Sequence, residues 1–220
     1  MRKSPPTSSD WRQTSCTAAW DLRADNDRHH VAATRVRRLP AGCGGHLPLS
    51  DHSDHSRQPE AEAVTGPEAV ALARSLYLDD RHPYGCAETT LLVLKSAFGL
   101  PDPTDAGPAM AFNGGVAYSG GVCGVISGAA IAVGLLAELR IADHSTAKRI
   151  AREIIADLMD DFRHEHGAVE CRTLIGQDIR TAEEHQAFLE SGLWRQTCMG
   201  QITFAVDRLA ALPNDPVWGG

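Results

Sequence analysis

The sequence predicts an all-α domain, a compact array of about five or six helices preceded by an unstructured tail. Three observations carry this reading. Hydrophobic residues make up 43% of the 220 residues but aromatic ones only 5%, so the core must be built from Ala, Val, Ile and Leu, which favours helices. Apolar residues recur at three- and four-residue spacing in segment after segment, each bounded by capping signals. No stretch alternates apolar and polar residues as a half-buried strand does.

Order is expected to begin at Thr65. Thr65-Gly66-Pro67-Glu68 reads as a capping box, and Val70, Leu72, Ala73, Leu76 and Tyr77 then give a helix to about residue 78. A turn follows, in which Pro83 holds His82 away from the helical region. The spacing predicts a second helix over about 85–98, with Cys86 in its first turn, Gly99 as C-cap and Pro101 as terminator. A long loop leads into the glycine pairs Gly114-Gly115 and Gly120-Gly121. The next helix is expected over about 122–139, buried and central, with Gly120, Gly124, Gly128 and Ala132 stacked on one face at four-residue spacing. A face of nearly bare backbone allows close approach of another helix.

A fourth helix begins near Ser145. Ile150, Ile154, Ile155, Leu158 and Phe162 form its apolar stripe, and it stops at Gly167. A short helical turn holds Cys171. Thr181 and Glu184 form a capping box for a short helix ending at Gly192, and a last helix runs over about 194–212 with Cys198 near its start.

Residues 1–64 read differently, as a disordered or loosely ordered tail. The segment carries a basic patch at Arg35-Val36-Arg37-Arg38, the polar run SDHSDHSRQPEAEA and several scattered histidines, without a sustained apolar period. Cys16 and Cys43 lie in it, so the working domain is placed at 65–220. The formal net charge is −7, which argues against non-specific nucleic-acid binding. No N-terminal stretch has the apolar core of a signal peptide, and Arg37-Arg38 is followed by a segment too polar for a twin-arginine signal. The apolar run 122–137 is shorter than the roughly 20 residues needed to span a bilayer. The reading is a cytoplasmic protein with no membrane partner, whose cysteines are reduced thiols, metal ligands or redox partners rather than structural disulfides.

Four cysteines fall in the domain: Cys86, Cys123, Cys171 and Cys198. None forms a C-x-x-C pair, which removes zinc ribbons, thioredoxin motifs and c-type haem sites. What they share is position, since each falls at or near a helix start. There, unsatisfied N–H groups and the helix dipole favour a thiolate. Four such ends converging in a small bundle would suit an iron–sulfur cluster or zinc. Gly120, Gly121 and Gly124 are the candidate backbone cradle beside Cys123, where N–H groups could hold an anion. His164-Glu165-His166 reads as a polar helix end.

Gly85-Cys86-Ala87, the segment FNGGVAYSGGVCGVISGAAIAVGLL, Cys171-Arg172-Thr173-Leu174-Ile175-Gly176 and Cys198 together resemble the C-GCAxxG-C-C family of redox-active proteins. The resemblance covers about 68–212 and implies that Cys86, Cys123, Cys171 and Cys198 serve redox chemistry or hold a metal centre. The chain departs from the pattern twice: no cysteine shortly precedes Gly85-Cys86-Ala87, where His82 is the nearest soft ligand, and Thr90 stands at the family's glycine. The expected function is a redox protein, an oxidoreductase or electron-transfer accessory. It would use an iron–sulfur cluster or dithiol–disulfide exchange, working with a protein partner (a redox enzyme or second subunit) or as a homo-oligomer. A non-catalytic helical subunit of a larger enzyme and a zinc-stabilised helical domain are the competing readings.

Overall fold

The computed structural model describes residues 66–79 and 84–218. The tail, Thr65 and His82 lie outside these. The described chain is helical and contains no strand; its one β-bridge pairs Val122 with Glu170. Among the described residues seven α-helices follow one another: α1 (Gly66–Tyr77), α2 (Cys86–Ala97), α3 (Gly124–Arg140), α4 (His144–His166), α5 (Cys171–Ile175), α6 (Ala182–Ser191) and α7 (Thr197–Leu209). None is long and apolar enough to cross a membrane among the described residues.

Capping chemistry sets most boundaries. The Gly85 N–H donates to Glu88 Oε2 at 2.9 Å and starts α2. Asp143 caps α4 by accepting from the Thr146 N–H at 2.8 Å, so α4 begins at His144, and Gly167 ends it in the left-handed region at φ 83°. Thr181 and Glu184 form the expected capping box of α6. Two boundaries move from the expected ones. α3 starts at Gly124 because Val122 is taken by the bridge to Glu170. α7 starts at Thr197 because Gly192, at φ 68°, is followed by a separate 3-10 turn, Leu193–Arg195, that contains Trp194. The expected long loop also holds a 3-10 turn, Gly107–Phe112.

The enclosed helix is α2 rather than α3. Every residue from Ala87 to Lys95 is buried, with α1, α3 and α7 packed around it. Even Lys95 is inside, its ammonium donating to the Asp105 carbonyl at 3.2 Å. α3 is buried on the side facing α2 and α4 but leaves Leu135 and Leu139 exposed. Leu91 and Leu94 of α2 join Val125, Val133, Leu136, Leu158, Phe162, Ile202 and Val206 in one core.

The α2–α3 contact depends on glycine at position 128. A Cβ there would run into the Ala87 carbonyl oxygen, whereas Gly134, one and a half turns on, has nothing within 4 Å. Gly128→Ala is expected to lower stability by about 1–3 kcal/mol through overpacking. Gly134→Ala should raise it by about 0.4–1 kcal/mol by reducing unfolded-chain entropy. Urea unfolding of the two variants checks this, and equal effects would contradict the close approach.

Candidate functional site

The four cysteines sit at four helix starts. Cys86 is the first residue of α2, Cys123 the N-cap of α3, Cys171 the first residue of α5 and Cys198 the second of α7. All are free thiols; Cys86 is half-buried and the other three are buried.

Pairwise contacts link their segments. α2 and α3 meet so closely that a Cβ on Gly124 would stand 2.6 Å from Cys86 Sγ. The sulfur of Cys86 therefore lies against the first turn of α3, beside Cys123. Two backbone bonds tie Cys123 to the Cys171 segment: Cys123 N–H to the Val169 carbonyl at 2.8 Å, and Cys171 N–H to the Gly121 carbonyl at 2.7 Å. Cys171 and Cys198 then share a second apolar cluster with Ile175, Ile179 and Phe188.

Cys86, Cys171 and Cys198 open onto one cavity of about 560 Å³, whose walls include Tyr77, Tyr118 and Trp194. Cys123 does not line it. Its thiol donates to Oε1 of the buried Gln201 at 3.6 Å, a bond that suits the neutral form.

Burial decides the protonation of all four. Two helix starts and the loop before α3 do supply N–H groups: those of Gly114, Ala87, Cys86 itself and Gly124 pull the Cys86 pKa down, yet desolvation outweighs them and it stays raised. Burial and then the charge of Cys86 push Cys123 well above the ordinary thiol value. The same two causes, in the same order, push Cys171 and Cys198 up to about 12, against a hydrogen bond from Tyr77 in the case of Cys198. The expectation of thiolates at helix N-termini is thus corrected, because a low-dielectric pocket shared by several ionisable sulfurs opposes charge more than the amides favour it. Each of the other three thiols responds to the charge of Cys86, so Cys86 is the common member of the group.

This electrostatics has a consequence for stability. Cys171 and Cys198 hold their protons to about pH 12 in the fold, while an unfolded thiol ionises near pH 9. Their contribution is intact below pH 9 and is lost as pH rises from there to 12, by about 1.4 kcal/mol per pH unit per thiol. Thermal stability should therefore fall steeply above pH 9, and less so in Cys171→Ala. An unchanged slope in that variant would contradict the raised pKa.

The segment between the 3-10 turn and α3 is unusual backbone. Gly114, Gly115, Val116, Ala117 and Tyr118 all have positive φ, between 51° and 74°. Left-handed backbone costs a non-glycine residue roughly 1–2 kcal/mol, most for a β-branched one such as Val116. The turn is fastened by Ala117 N–H to Ala111 carbonyl at 2.8 Å, Gly120 N–H to Gly114 carbonyl at 3.0 Å, and the Arg172 guanidinium to Ser119 carbonyl at 3.1 Å. It carries the Gly114 amide to the Cys86 sulfur and Tyr118 to the cavity wall.

Gly120, Gly121 and Gly124 face protein atoms. The nearest neighbours of an added Cβ would be the Arg172 side chain at Gly120, the Gly115 carbonyl oxygen at Gly121 and Cys86 Sγ at Gly124. The glycines on the cavity are Gly85 and Gly114.

Several site residues carry no obvious sequence signal. Asn113 accepts from the Ala87 N–H at 3.0 Å and donates to Glu88 Oε2 at 2.7 Å, so it clamps the start of α2 that presents Cys86. Glu88 is legible as the third residue after the Gly85 cap in a G-C-A-E helix start. Tyr77 and Trp194 meet edge to face at 5.4 Å, although they are far apart in sequence. The motif His164-Glu165-His166 lies elsewhere: the His166 ring packs on Phe162 and Phe204 at 4.5 and 5.2 Å.

Four thiols are a donor set that zinc or an iron–sulfur cluster takes. Among the described residues, no three His, Cys, Asp or Glu side chains are gathered to hold a metal ion, so their placement does not fit one. No curated protein and no solved structure matches the chain. Residues 84–212 match the family model described as "Putative redox-active protein (C_GCAxxG_C_C)", and the chain belongs to that family.

Proposed function

We propose that this member of the C_GCAxxG_C_C family is a two-electron redox protein whose working couple is a dithiol and disulfide formed at Cys86. The observation that supports it is that Cys86, Cys171 and Cys198 share one cavity while Cys86 is the only one of the four domain cysteines that is not fully buried. Cys86 also has the backbone amides of Gly114, Ala87 and Gly124 acting on its sulfur, so it is the thiol best placed to ionise when a reactant arrives. It acts as the attacking thiol, and Cys171 or Cys198 closes the disulfide. In that step two S–H bonds break, one S–S bond forms, and two electrons and two protons leave together. Cys123, bonded to Gln201 behind the wall, supports the site without entering the couple.

Because the thiols stay protonated at neutral pH, the couple should lose two protons with its two electrons. Its midpoint potential is expected to fall by about 59 mV per pH unit from about pH 6 to 9. Titration in dithiothreitol redox buffers measures this. A slope flattening to half that value near neutrality would mean that one thiol is already ionised, which would contradict a fully protonated pair.

A further inference from the structure

We propose that the oxidant of this thiol pair is a quinone, a planar, uncharged acceptor of two electrons and two protons, bound in the cavity beside Cys86. The inference rests on the dithiol reading and adds its substrate class. The walls supply the reason. Tyr77, Tyr118, Phe188 and Trp194 place aromatic rings around the opening to Cys86, Cys171 and Cys198. Aromatic faces favour a flat ring between or against them, and about 560 Å³ is ample for one small ring system.

Charge narrows the class. Arg195 is the only Lys or Arg among the described lining residues, and its guanidinium lies 4.2 Å over the Trp194 ring. Asp79 and Glu190 line the same space. Among the described lining residues, a nucleotide, a phosphorylated cofactor or a carboxylate-rich disulfide would meet two carboxylates against one guanidinium. A neutral quinone meets none of that opposition. Tyr77 lines the cavity with Cys198, so its hydroxyl is available to donate to a ring oxygen of the bound quinone.

The step balances. The Cys86 sulfur bonds to a ring carbon and its proton passes to a ring oxygen. The thiol of Cys171 or Cys198 then attacks the Cys86 sulfur, the carbon–sulfur bond breaks, and its electron pair stays with the ring. The second thiol proton goes to the other ring oxygen. The products are one disulfide and one hydroquinone.

The test uses the full-length reduced protein without oxygen, and duroquinone, whose fully substituted ring does not trap thiols as stable adducts. Stopped-flow absorbance should show a saturable reaction that consumes two thiols per hydroquinone formed. Trp194→Leu and Tyr118→Leu should each raise the half-saturating duroquinone concentration about tenfold, with folding of each checked by circular dichroism. Two variants are used so that a failure of one to fold does not decide the matter. A rate that rises linearly with duroquinone and ignores both substitutions would overturn the quinone site. Diamide, a small oxidant that needs no such pocket, separates the quinone site from the dithiol couple. If diamide forms the Cys86 disulfide in the wild-type protein and duroquinone does not react, the quinone proposal fails alone. If neither does, the dithiol reading fails with it.

Discussion

Cys86→Ser is expected to abolish disulfide formation in the cavity and to slow thiol–disulfide exchange by at least about 100-fold. Position is the reason. Cys86 is half-buried while Cys123, Cys171 and Cys198 are buried, and burial pushes Cys171 and Cys198 up to about 12. Burial keeps both protonated at neutral pH, so the more exposed Cys86 meets an incoming reactant first. Cys86 has several backbone amides opposing the cost of its burial, and it is the sulfur to which the other three respond. Cys123→Ser provides the contrast. Its thiol points to Gln201, away from the cavity, so the Cys86 disulfide should still form. Intact-mass measurement after diamide treatment reads both outcomes. Equal loss in the two variants would mean that the four thiols act as one centre rather than as a pair with a support.

Gly124→Ala should damage fold and site at once. The added Cβ would lie 2.6 Å from Cys86 Sγ and 2.9 Å from the Phe112 carbonyl oxygen. The sulfur can rotate away, but the backbone oxygen cannot, so α3 must move off the Gly107–Phe112 turn that packs beside Cys86. An overpacking cost of about 1–3 kcal/mol is expected, together with a slowing of Cys86 oxidation by about tenfold or more as its sulfur leaves the Gly114 and Gly124 amides. The specific claim is the coupling of the two losses. Gly128→Ala clashes with Ala87 rather than with the sulfur and should lose stability with a smaller change in oxidation rate. If both variants slow oxidation equally, the sulfur contact at Gly124 carries no function.

Much of this was legible in the sequence, for physical reasons that can be named. The helices announced themselves through caps, as Thr181 with Glu184 and Gly167 show, because capping is local chemistry. The family resemblance is matched over residues 84–212, and Cys86, Cys171 and Cys198 line one cavity. What sequence could not supply was the balance of opposing effects at the sulfurs. A helix start favours a thiolate and burial opposes it, and only packing says which wins. Nor could spacing show that α2 rather than α3 is enclosed, since the run from Leu91 to Leu94 and the run after Gly124 are both apolar. The aromatic cavity wall was hidden for another reason: Tyr77, Tyr118 and Trp194 come from three distant segments and meet only in the fold. The five positive-φ residues from Gly114 to Tyr118 were foreshadowed at the glycines alone, because Val116 and Ala117 have no local preference for that backbone.

The central claim is that Cys86 and a cavity neighbour form a redox-active pair without a bound metal. Oxygen-free purification of the full chain, metal analysis and then disulfide mapping after diamide oxidation test it most directly. The expected result is a colourless protein with no stoichiometric metal and one disulfide joining Cys86 to Cys171 or Cys198. Iron or zinc held by the four thiols, or an oxidised protein whose disulfide excludes Cys86, would contradict it.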